Sequence, residues 1–194
     1  ALMAEAMRFP DGPDRMAELC RRMQAAFARL EALEIPTVAA ISGICVGGGF
    51  ELALSCDIRV AEKDARIGLP EVRIGLLPGA GGTQRLAALA GKGVASRLIM
   101  TGEMVGGERA MQLGIVEDVA EPGHAFEAAL DIARAVVAGP RRSLVAIKRC
   151  IALARSPEGF EAEIAETREL QSEPETRGRI AAFIEKSARK QVAV

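Results

Sequence analysis

The stretch VGGGFELALSCD, residues 46–57, constrains the chain more than any other, because it sets one carboxylate, Glu51, directly after three glycines inside an apolar run. From Val38 to Cys56, Glu51 is the only charged side chain. If this segment is buried, the protein holds an expensive group where water is scarce. Burying a carboxylate costs on the order of several kcal/mol unless it is hydrogen-bonded or neutralised, and desolvation raises its pKa towards the range useful for proton transfer. A Glu in the first turn of a helix is also favoured by the helix dipole, so a structural role stands beside the functional one.

A second carboxylate, Glu71, lies among apolar neighbours in GLPEVRIGLLPGAGGTQRL, residues 68–86. Glycines 79, 81 and 82 allow close backbone approach to a ligand or positive φ, and Thr83 is suited to begin a helix. Strands are expected at DIRVAE (57–62) and ARIG (65–68), a path that can return the chain beside the Glu51 helix so that both carboxylates face one cavity. Paired carboxylates can act as acid and base and titrate as a coupled unit. The Gly48 amide, at the positive end of that helix, can stabilise an anion developing on a carbonyl oxygen. Together these parts are suited to enolate chemistry.

Elsewhere the chain reads as one domain with a helical appendage. Residues 14–34 carry Met16, Leu19, Met23, Phe27 and Leu30 on one helical face, and these read as core. After Pro36 come the strand TVAAISGI, the glycine-led helix and DIRVAE, an alternation suited to repeated ββα turns. Helices broken at Gly91–Gly93 and Gly106–Gly107 follow over 83–113, with IVEDVA as a closing strand. From Gly123 the sequence is helical in four segments: FEAALDIARAVVAG, RRSLVAIKRCIALA, a helix from about Glu158 and another after Pro174. The division is drawn at 1–122 for the core and 123–194 for the helical region.

A formal net charge of −1, from 25 basic and 26 acidic residues, gives no general reason to expect nucleic acid or a membrane surface. Arg21, Arg22 and Arg29 share a helix with Glu and Asp residues and read as a solvated face rather than an RNA-binding one. The apolar run Ile35–Phe50 is too short and too rich in Gly and Pro to span a bilayer. Cysteines 20, 45, 56 and 150 lack metal-ligand spacing and read as free thiols, with no metal expected. His124, the single histidine, has no partner motif for a catalytic triad.

The run from IPTVAAISGICVGGGFELALSCD through PEVRIGLLPGAGGTQRL, residues 35–86, resembles the centre of the enoyl-CoA hydratase/isomerase (crotonase) superfamily, and the resemblance continues through LIMTGEMVGGERAMQLGIVEDVA to AAFIEKSARK. It implies an α/β fold, a spiral of ββα repeats with C-terminal helices that build a homotrimer or a hexamer of two trimers. By the same resemblance Gly48 supplies an oxyanion-hole amide, Gly79 positions a water, and Glu51 and Glu71 are the catalytic pair of a true hydratase. Glu51 would activate the water and Glu71 would protonate the carbon beside the thioester. Isomerases or lyases that work with one carboxylate, and non-catalytic CoA- or RNA-binding relatives, remain alternatives. The substrate would be an acyl-CoA thioester with no separate cofactor, in the cytoplasm or, in a eukaryote, the mitochondrial matrix. Cys45, Val46 and Gly47, leading into the glycine turn, are assigned to substrate and CoA binding, with Lys186 on the CoA phosphates and Phe183 near the adenine. Leu69, Leu76 and Leu77 are expected to line the acyl pocket.

The family's other oxyanion amide comes from an early A-G-A-D-like loop, which ALMAEAMRFPDGPDRMAELC does not match. The chain begins at Ala1 in what would be the helix after that loop, so the expectation is that an N-terminal part is missing. Loss of one such donor raises the barrier by about 2.7–4 kcal/mol.

Overall fold

The computed structural model describes residues 8–154 and 156–192, with side chains through residue 186. Packing divides it into two units at 135/136. The first unit opens with α1 (Gly12–Glu31), followed by β1 (Val38–Ile41), β2 (Ile44–Val46), α2 (Gly48–Leu54), β3 (Ile58–Glu62) and β4 (Arg66–Gly68). A 3-10 turn (Pro70–Ile74) leads to α3 (Gly82–Thr101), β5 (Met104–Val105), α4 (Gly107–Gln112), β6 (Asp118–Ala120) and α5 (Ala125–Val137). The second holds α6 (Arg141–Ala152), α7 (Pro157–Ser172) and α8 (Pro174–Val192).

The strands alternate between two three-stranded sheets. One has the order β1-β3-β6 and is parallel throughout; the other has the order β2-β4-β5, with β2 and β4 parallel and β5 antiparallel. Each strand pair therefore steps from one sheet to the other, which makes the expected α/β spiral of ββα turns. The single strand expected at TVAAISGI is two. Gly43, at φ 61, turns the chain between Ile41 and Ile44, so β1 pairs with β3 while β2 pairs with β4. IVEDVA contributes only its last three residues as β6, and β5, too short to show a period of two, was not foreseen.

Phe50, Ile67, Leu69, Leu86, Leu98 and Ile115 fill the core with almost no exposed surface. The five apolar residues of α1 are half-buried while Arg21, Arg22 and Arg29 face solvent, as the helical spacing requires. Helix α3 is kinked at Gly91 (φ 83, ψ 158) and ends on the left-handed Gly102, so the expected break near Gly91–Gly93 is a bend within one run. The expected division at 122/123 is redrawn by α5, whose Ala129 packs with Val60 and Ala120 and whose Ile132 covers them. That helix belongs to the sheet layer.

In the second unit, α7 presents Glu166, only 7% exposed, to Arg149 at 2.7 Å and Arg142 at 3.5 Å on α6. Ile147, Ile151, Phe160 and Ile164 of the same two helices remain exposed. No helix among the described residues is long and apolar enough to cross a membrane. None of the four cysteines forms a disulfide.

One buried cation ties the first unit together. Arg59 of β3, 3% exposed, donates to the carbonyls of Cys56 (2.6 Å), Asp57 (3.3 Å) and Ile115 (3.0 Å), and reaches Ala53 at 3.5 Å. It also pairs with Glu117 Oε1 at 2.7 Å. The guanidinium thus neutralises the carbonyl end of α2, where a cation is favoured, and joins it to the approach to β6. Replacing Arg59 by Met leaves several buried acceptors unmatched, and we expect a loss of about 3 kcal/mol in urea unfolding. A loss below about 1 kcal/mol would show that water or rearranged backbone satisfies them.

Candidate active site

Gly47 (φ 56, ψ −131) precedes α2 and turns the chain sharply out of β2, a conformation that favours glycine. Its amide donates to Gly68 O at 3.1 Å, which locks the turn to the end of β4. The amide of Gly48 then belongs to the first helical turn, whose donors have no intrahelical acceptor. Glu51 follows in that same turn and is 3% exposed.

The burial of Glu51 is compensated by the glycine-rich loop. Its Oε1 accepts the amides of Ala80 at 2.7 Å and Gly82 at 2.8 Å, at the start of α3. Gly81 (φ 107) shapes this N-terminus, and Thr83, expected to begin the helix, lies inside its first turn. A Cβ on Gly82 would stand 2.9 Å from Leu69 Cδ1 and Pro78 Cβ and 3.0 Å from Glu51 Cγ, so the carboxylate can reach these amides only because residue 82 has no side chain. Arg85 braces the loop by donating to Ala80 O at 3.1 Å and pairing with Glu31 of α1 at 2.9 Å.

Glu71 approaches from the 3-10 turn. Its Oε1 would lie 3.0 Å from a Cβ on Gly47, which places its carboxyl against the turn that opens the Glu51 helix. The residue as a whole is half-buried, while Oε2 is fully buried and accepts no hydrogen bond among the described residues. Burial pushes its pKa above the ordinary 4.5, and the nearby Glu51 charge pushes it further in the same direction. The two carboxylates therefore converge on one turn.

Helix α1 forms a wall that the sequence did not reveal. Gln24 Nε2 donates to Gly79 O at 2.7 Å. A Cβ on Gly79 would meet Cys20 Sγ at 2.5 Å, and one on Gly48 would meet Met23 Cε at 2.9 Å. Met23 carried the signature of a core residue, and nothing in its helical spacing distinguishes a helix that packs on a site from one that packs on a core.

The remaining expected residues disperse. Leu69 is fully buried among Phe50 and Leu86, so it supports the site from beneath and has no surface with which to line a pocket, contrary to expectation. Leu76 and Leu77 follow the turn at Gly75 (φ 75) and are 46% and 68% exposed. Cys45 and Val46 line a groove of about 470 Å³ with Leu30, Ile44 and Leu52, and neither Glu51 nor Glu71 borders it. Burial raises the Cys45 thiol to about 11. Phe183 and Lys186 are exposed on α8 in the second unit. His124 is exposed just before α5.

The profile of the enoyl-CoA hydratase/isomerase family matches residues 8–191, and the chain belongs to this family, within the crotonase superfamily. It is similar to the short-chain-enoyl-CoA hydratase of Clostridium acetobutylicum, with 48% identity over 111 residues that cover 57% of this chain and 42% of that protein. The match thus spans less than half the length of this curated relative. Among solved structures, Pseudomonas aeruginosa DspI superposes with a TM-score of 0.83 and 41% identity over 89% of this chain and 67% of its own. An enoyl-CoA hydratase from Bacillus anthracis gives 0.84 and 32% over 89% and 68%.

A carboxyl whose folded-state pKa lies above its unfolded value favours folding only while protonated. For Glu71 that contribution is complete below the ordinary 4.5 and is lost as pH rises through the raised value. Glu71→Gln should therefore melt at a higher temperature than the parent at pH 7.5, with the gap closing towards pH 4. A gap that stays constant across this range would contradict the cause assigned to the shift.

Proposed function

We propose that the protein adds water across the double bond of a 2-trans-enoyl-CoA to give the 3-hydroxyacyl-CoA. The observation that carries this reading is the pairing of two carboxylates with unequal surroundings at the N-terminus of one short helix. Glu51 has one oxygen committed to two amides, which fixes its plane and leaves the other to accept a proton. Burial raises the Glu71 pKa and leaves its Oε2 without a partner among the described residues, which suits a proton donor.

In this mechanism the thioester oxygen takes the Gly48 amide, and the developing enolate charge is met by a donor already in place. A water held by Glu51, Glu71 and the Gly79 amide loses a proton to Glu51 as its oxygen bonds to C3. Glu71 delivers a proton to C2. Proton exchange between the two carboxyls then restores the starting state, so one water is consumed for each double bond. The family membership and the similarity to a short-chain-enoyl-CoA hydratase support the substrate class. The acyl thioester brings its own coenzyme A, and the reading needs no further cofactor.

Glu51→Gln and Glu71→Gln should each lower crotonyl-CoA hydration by about 10²–10⁴-fold, measured by loss of the conjugated-thioester absorbance. Near-parental turnover in both variants would overturn the assignment. Turnover of a 3-enoyl-CoA but not a 2-enoyl-CoA would favour an isomerase, and tight CoA-ester binding with no turnover of either would favour a non-catalytic relative.

We also propose a homotrimer or a dimer of trimers. The exposed Ile147, Ile151 and Phe160, which line one groove between α6 and α7, support it, because exposed apolar surface of this kind is usually covered. Sedimentation should give three or six times the chain mass. A monomer at micromolar concentration would exclude the assembly.

A further inference from the structure

The peptide joining Gly79 to Ala80 is held at both ends. Its carbonyl oxygen accepts Gln24 Nε2 at 2.7 Å, and its N–H donates to Glu51 Oε1 at 2.7 Å. The three groups form one chain of hydrogen bonds from a side chain on α1, through a main-chain amide, to the buried carboxylate. We infer that Gln24 is a positioning residue for Glu51, acting through the Gly79–Ala80 peptide.

The physical basis is peptide resonance. Donation to the carbonyl oxygen increases the double-bond character of the C–N bond and makes the N–H a better donor. Linked bonds strengthen one another by roughly 10–30% each in condensed-phase estimates. The second amide on Glu51 has no equivalent brace from a side chain among the described residues: Gly82 follows the Gly81 carbonyl, which accepts the backbone amides of Gln84 and Arg85 there. At Gly79 the chain would tolerate rotation of an unbraced peptide, because glycine imposes little backbone preference. Gln24 supplies the fixed point from outside the loop, and it can do so because α1 lies near enough for Cys20 Sγ to exclude a Cβ on Gly79.

Nothing in the sequence marks Gln24. It is a polar residue on a surface helix, with the side chain counted as exposed, yet its amide reaches 55 residues along the chain to the loop that holds Glu51. The kinetic consequence rests on the hydratase proposal, while the hydrogen-bond relay does not.

Two variants separate positioning from packing. Gln24→Leu removes the donor while keeping similar bulk, and Gln24→Lys keeps a donor at similar reach. In the full chain, Gln24→Leu should lower kcat about tenfold with KM changed less than about twofold, since orientation errors of a fraction of an ångström act on the reacting geometry. Gln24→Lys should recover most of that loss. Independently of turnover, the Ala80 amide proton in a ¹H–¹⁵N spectrum should move upfield in Gln24→Leu, by more than the Gly82 amide, and return towards its original position in Gln24→Lys. An unmoved Ala80 resonance in Gln24→Leu, or equal losses of activity in both variants, would overturn the inference. If the parent protein hydrates no 2-enoyl-CoA, the hydratase reading falls, and the Ala80 resonance alone decides whether the relay exists.

Discussion

The bond pair from Ala80 and Gly82 to Glu51 Oε1 is the interaction on which the first unit's chemistry depends. A carboxylate 3% exposed in a helix of seven residues has few sources of compensation within its own helix. The compensation comes instead from the N-terminus of another helix, α3, whose first donors are unpaired for the same geometrical reason as every helix start. One unsatisfied set of donors and one buried acceptor complete each other. The pairing also fixes α2 against the glycine-rich loop, so the packing of the core and the orientation of the carboxyl are a single problem.

Glycine solves that problem by absence of mass rather than by flexibility. Residue 82 is surrounded within 3.0 Å of its missing Cβ by Leu69, Pro78 and Glu51, and residue 79 is closed off by Cys20. At Gly47 and Gly81 the requirement is conformational, with φ of 56 and 107. The opposite end of α2 depends on Arg59, whose guanidinium gathers carbonyls from both sides of the β3 entry. A short helix is thereby fixed at its two ends by opposite charges, the carboxylate near its start and the guanidinium beyond its finish.

Much of this was legible in the residues. Glu51 and Glu71 announced themselves because a lone charge in an apolar run has few inexpensive explanations, and the glycine clusters marked the turns that bring them together. The amphipathic stripe of α1 was readable from its period, and the strands DIRVAE and ARIG from the stretch of chain between the two carboxylates. What escaped was everything that depends on distance across the fold. Gly43 divided TVAAISGI between two sheets because one left-handed residue outweighs β propensity. Leu69 looked like a pocket residue beside Glu71, whereas its side chain is fully buried with Phe50 and Leu86. Arg59 sat inside a strand with no hint of the carbonyls around it, and the wall built by Cys20, Met23 and Gln24 has no local signature.

The unequal surroundings of the two acids also separate their parts in folding. Glu51 contributes to the fold through the amides it satisfies, so its replacement disturbs packing whether or not any reaction is being run. Glu71 leaves Oε2 buried without a partner among the described residues, and folding gains nothing from keeping it charged. The two acids therefore differ in what the fold asks of them: the first is held by the packing, the second is not.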